Sequence, residues 1–130
     1  MEMENEFGVA CVDGDINTIN KIMKTGYNDY DYGLRCACSG GQYEVAMLML
    51  EKGANIGGSV PHLAGEGGNR KLIDFFIARG YNKFNNYLNG AASDQNVSLM
   101  LDMIKLGADD LKTAVYYWNL KEYRKTHQTP

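Results

Sequence analysis

Tyr32-Gly33-Leu34-Arg35-Cys36-Ala37-Cys38-Ser39-Gly40-Gly41-Gln42-Tyr43-Glu44-Val45-Ala46-Met47-Leu48-Met49-Leu50-Glu51-Lys52-Gly53-Ala54-Asn55 decides the fold of this chain, because it holds one complete unit of a pattern that recurs elsewhere. Leu34 to Ser39 is a short segment of small residues, and Gly40-Gly41 breaks it. Tyr43 to Lys52 then restarts with Val45, Leu48 and Met49 at the i, i+3, i+4 spacing of an amphipathic helix. Gly53 stands where a helix C-terminus takes a left-handed residue, with Lys52 beside the negative end of the helix dipole. The stretch reads as helix, turn, helix, turn.

Outward from it, Gly26, Gly53, Gly80 and Gly107 succeed one another at a step of 27 residues. Ala10, Ala37, Ala64 and Ala91 keep the same step, and a third column reads Gly14, Gly41, Gly68 and Gln95. Three columns in one register predict a solenoid, in which each unit buries its apolar face only against its neighbours. The alanine column is expected to let neighbouring first helices approach closely. Met49 and Leu50 correspond to Ile22 and Met23, Phe76 and Ile77, and Met103 and Ile104, which suits a continuous core. One position earlier, Leu48 and Phe75 are apolar while Lys21 and Asp102 are charged, as expected of end repeats that meet water.

The 130 residues suit a single domain, and a hydrophobic share of 45% is that of an ordinary folded chain. A formal charge of -3, with no basic stripe, argues against nucleic acid as a partner. The acidic start Met1-Glu2-Met3-Glu4-Asn5-Glu6 lacks the basic and apolar regions of a secretory signal, and no apolar run is long enough for a membrane span. These features predict a soluble, intracellular, cytoplasmic protein that does not engage membranes. Cys11, Cys36 and Cys38 are an odd number, which suits reduced thiols.

Two helices, an intervening glycine and the closes Gly53-Ala54-Asn55 and Gly107-Ala108-Asp109 resemble the ankyrin repeat. The third unit resembles it best, since Pro61-His62-Leu63-Ala64 followed by Gly65-Glu66-Gly67-Gly68 matches the T-P-L-H-x-A opening and its turn. Here the proline directly precedes the histidine. The period also departs from the usual value of about 33, which implies shortened β-hairpin fingers. Asn28-Asp29-Tyr30-Asp31-Tyr32-Gly33-Leu34 through Ala37-Cys38-Ser39-Gly40-Gly41 resembles the short ankyrin repeats of amoeba-infecting giant DNA viruses. The resemblance implies an all-α ankyrin solenoid of four repeats, over 7–32, 33–59, 60–86 and 87–110, closed by a capping helix over 111–124. It also implies a non-enzymatic module that binds another protein, in viruses a host protein.

No catalytic, cofactor or metal set emerges from the residues. Cys36 and Cys38 point away from each other on a helix. His62 stands where the family's histidine bonds within the repeat framework, and His127 has no acid or nucleophile near it in the pattern. Gly65-Glu66-Gly67-Gly68 lacks a phosphate-binding lysine and is read as an interhelical turn. In the family, the fingers and the open face of the first helices bind partners. That places the protein-binding surface at Val12, Asp13, Tyr32, Ser39, Glu66, Lys83, Asn86, Tyr87, Ser93 and Asp94, with Tyr32 and Tyr87 as exposed anchors. The alternative is a structural component that associates with itself or with a virion protein. Leu111, Val115 and Trp118 fall on one helical face with Ala114 beside them, predicting a helix that either caps the stack through Trp118 or pairs two copies.

Overall fold

The computed structural model describes residues 2–127, and these form helices joined by turns, with no strand among the described residues. In chain order they are α1 (Glu2–Asp13), α2 (Ile16–Met23), α3 (Tyr30–Ser39), α4 (Tyr43–Glu51), α5 (Val60–Gly67), α6 (Arg70–Ala78), α7 (Phe84–Ser93), α8 (Val97–Leu106) and α9 (Leu111–Thr126). Each odd-numbered helix up to α7 packs on the even-numbered helix that follows it. The odd helices also pack on one another in sequence, α1 on α3, α3 on α5, α5 on α7 and α7 on α9. The result is two layers, with a row of first helices backed by second helices.

Backbone conformation explains the glycine columns. Gly14, Gly41 and Gly68, in the turns within pairs, have φ of +76°, +68° and +69°, and Gly26, Gly53, Gly80 and Gly107 after the second helices have φ of +98°, +105°, +93° and +123°. A Cβ is disfavoured in this region, so the spacing of 27 records where the chain must turn left-handed. Gln95 is the exception, a non-glycine at φ +56° in the column of Gly14, Gly41 and Gly68. Its side chain accounts for the substitution: Nε2 donates to Trp118 O at 3.3 Å and to Glu122 Oε1 at 2.6 Å, tying the last turn to α9. Gln95→Ala and Gln95→Gly both lose these bonds, but only the first keeps the strained φ. Gln95→Gly is therefore expected to be the more stable of the two by about 1 kcal/mol in chemical denaturation.

Asp15, Asn69 and Asn96, in the 27-residue register whose remaining position is Gln42, cap α2, α6 and α8 by accepting from Thr18 N, Leu72 N and Leu99 N at 3.2, 3.0 and 3.1 Å. Asp29 and Asp110 do the same for α3 and α9. Such caps contribute about 1 kcal/mol each. Gln42, at the remaining position of the first column, instead donates to Val12 O at 3.0 Å, and Asn69 Nδ2 donates to Gly41 O at 2.9 Å. These bonds stitch each turn to the one before it.

The core is a single cluster running through both layers. Ala10, Ala37, Ala64 and Ala91 are all buried, as are Ile22, Met49, Phe76 and Met103 of the second helices. Full burial of a side chain such as Leu34 or Phe76 contributes about 1.5–3 kcal/mol. Met23, Leu50 and Ile77, one position on, are only partly buried. A close helix approach lies at glycine: a Cβ on Gly90 would sit 2.8 Å from Glu66 N and 3.0 Å from Gly65 C, so α5 and α7 meet backbone to backbone. Gly65 and Gly67, read from sequence as part of a turn, belong to α5 instead. Pro61 occupies the first turn of that helix, where its missing N–H costs nothing.

Candidate functional site

The open face of the odd helices gathers four of the expected binding residues into one cleft of about 420 Å³. Ser39 from α3, Glu66 from α5, Ser93 from α7 and Asp94 just after it line one side, and Lys121, Arg124 and Lys125 of α9 line the other. Four successive first helices thus reach the same cleft because they stand in register. Ser93 Oγ donates to Glu66 Oε2 at 3.4 Å, and His62 Nε2 lies 3.6 Å from the same oxygen. The His62 hydrogen bond, more than any other cause, holds the Glu66 carboxyl below its ordinary range. Lys121 Nζ stands 3.4 Å from Asp94 Oδ1, and Lys125 Nζ donates to Gln95 Oε1 at 2.9 Å. The cleft is a mosaic of both charges, partly open to water.

His62 is half-exposed on this face, its ring centroid 5.0 Å from that of Tyr117 on α9. Its one polar partner is Glu66, four residues on in the same helix, so its contact stays within its own repeat and bears on the cleft through that carboxylate. Lys121, Arg124 and Lys125 are not among the residues expected from the sequence, because α9 reads there as a cap or a pairing helix and not as part of the open face. The register held the signal, since Lys121 follows Asp94 by 27 residues in the same column.

The other expected residues lie apart from this cleft. Val12, Asp13 and Tyr32 line a second hollow of about 500 Å³ between α1 and α3, and Lys83 and Asn86 line a third of about 320 Å³ beside Tyr81. Tyr32 does not project from a finger tip. It sits in the first turn of α3, half-buried, with its hydroxyl end where a Cβ on Gly8 would be. Tyr87 is the clearer correction: it is 0% exposed, and its hydroxyl donates to Tyr81 O at 2.7 Å. Burial raises its phenol pKa, and the side chain belongs to the core rather than to a binding surface.

The C-terminal helix also differs from its expected orientation. Ala114 is buried and Tyr117 and Trp118 pack partly against the core, whereas Leu111 and Val115 face water. The small Ala114 lets α9 lie on α7, which turns Leu111 and Val115 away.

Burial pushes the Cys11 and Cys38 thiols up to about 12, which leaves them protonated and unreactive at neutral pH. Among the described residues no group of three or more His, Cys, Asp or Glu side chains could hold a metal ion. No described helix is long and apolar enough to cross a membrane. Compared with protein-family models and with curated protein sequences, the chain matches none.

Proposed function

We propose that the chain is an ankyrin-type binding module that takes another protein on the open face of its odd-numbered helices. The 27-residue register and the resemblance carried by Pro61-His62-Leu63-Ala64 support the repeat type. The observation that carries the function is the cleft of Ser39, Glu66, Ser93, Asp94, Lys121 and Arg124, in which four helices present polar side chains that are not part of the buried core. Helices locked by a common core hold those groups at fixed spacings, so less order is lost on binding than from a flexible surface. Mixed charge favours a partner segment carrying both signs and selects against purely acidic or basic ones. The likeness of residues 28–41 to the viral repeats makes that partner a host protein.

Affinity capture with the intact chain, run beside a Ser39→Arg, Glu66→Lys variant, tests the reading. A protein retained by the wild type and lost by the variant supports it. Ser39 is exposed, while Glu66 is partly buried and gives up its contacts with Ser93 and His62, so the variant is expected to stay folded with a loss of about 1 kcal/mol in unfolding stability. Equal retention of every bound protein by a stable variant would place binding elsewhere.

A further inference from the structure

Among the described residues, α9 corresponds to a first helix and no second helix packs against it. In the four complete pairs, Phe7, Leu34, Pro61 and Leu88 occupy one column of the first helices and all are buried. Val115 is next in that column and is 56% exposed. The second helices show the same gap: Ile19, Ala46 and Ile73 are buried, but Met100, which follows them, is only partly covered. Leu111, 52% exposed, and Tyr123, 59% exposed, flank Val115 at about 40° and about 80° around α9. Met100, Leu111, Val115 and Tyr123 outline a berth that no helix among the described residues fills.

We infer that the berth is filled by α9 of a second copy of the chain, in a two-fold symmetric dimer. This goes beyond the binding reading above, since it uses the end of the stack and not its open face. Two observations select the occupant. First, the pairs are joined by turns of two or three residues, so each second helix runs antiparallel to its first. Two α9 helices related by a two-fold axis across them are antiparallel as well, so each can take the place that a second helix takes in the complete pairs.

Second, the residue order along α9 is self-complementary in that direction. An axis level with Tyr117 sets Lys112 beside Glu122 of the second copy, Leu111 beside its Tyr123 and Val115 beside its Asn119, and symmetry makes each contact twice. A parallel pairing would instead oppose Lys112 to Lys112. The other end of the stack is a poorer occupant, because Glu6, Asp13 and Asp15 around Val9 on α1 make it acidic, whereas the stripe on α9 carries both signs.

Sedimentation of the full chain over about a hundredfold range of concentration should show a monomer giving way to a dimer. Val115→Asp is expected to leave a helical monomer, since the side chain faces water in the single copy. Lys112→Glu and Glu122→Lys should each raise the dissociation constant by about tenfold or more, because each places like charges together twice. Since Glu122→Lys also gives up the bond from Gln95, its constant is compared with that of Glu122→Ala. An equimolar mixture of the two charge-reversed variants should recover the dimer, since both pairs are then opposite in sign. A chain that stays monomeric throughout, a dimer that survives Val115→Asp, growth beyond two copies, or a mixture that fails to recover would each overturn the proposal.

Discussion

Tyr87→Ala is expected to lower unfolding stability by about 3–5 kcal/mol, the cost of emptying a large aromatic site in a packed interior. Tyr87, in α7 beside the equally buried Leu88, heads the largest fully buried side chains among the described residues. Truncation leaves a cavity and also removes the donor to Tyr81 O. Much of the loss is expected to come from the ring, so Tyr87→Phe should cost only about 1 kcal/mol, the net value of one hydrogen bond. Equilibrium denaturation of the two variants separates these contributions. A Tyr87→Ala protein as stable as the wild type would contradict the burial of the ring.

Gly90→Ala adds a single methyl group and is nevertheless expected to cost about 3 kcal/mol, near the upper end for overpacking. The new Cβ would press on His62 O, Glu66 N and Gly65 C, all of them backbone atoms of α5 that have no rotamer to change. α5 and α7 would have to separate, which loosens Ala64 against Ala91. The contrast with Gly53→Ala is instructive, because a Cβ at Gly53 meets nothing within 4 Å and the cost there is conformational alone. A thermal midpoint for Gly90→Ala equal to that of Gly53→Ala would mean that the two helices are not in backbone contact.

How far the sequence reveals this structure depends on which physical constraint repeats. Left-handed turns recur in every unit, so Gly14, Gly41, Gly68 and the glycines after the second helices are legible without coordinates. The all-helical architecture follows from them together with the apolar spacing. Tyr32 and Tyr87 show where this legibility stops. Composition makes them equivalent, but Tyr32 lies in the column of Asn5, Ser59 and Asn86, whereas Tyr87 follows Gly33 and Val60. A shift of one position on a helix turns a side chain by about 100°, enough to carry Tyr87 from the open face into the core.

The cleft is legible only in part for a related reason. Ser39, Glu66, Ser93 and Asp94 follow from the register of the first helices, but the basic wall of α9 does not, since a helix read as a lid is assigned no open face of its own. The acid and amide caps at Asp15, Asn69 and Asn96 were open to reading as a further column. Gln42 obscures it by reaching back to Val12 O, where a shorter residue would cap its own helix. The orientation of α9 depends on Ala114, whose small size becomes informative only once α7 is in place beside it.

The turns within pairs and the connections between pairs place opposite demands on chain length. Gly41 abuts the Gly67 carbonyl, and Gln42 and Asn69 hydrogen-bond to backbone carbonyls of the preceding pair, so a residue gained or lost there would displace two neighbours together. Gly57 and Gly58, between α4 and α5, are exposed and touch nothing within 4 Å of a Cβ position. Evolution can therefore lengthen this protein at the connection and vary its surface freely there, while the tight turns hold the remainder to a common measure.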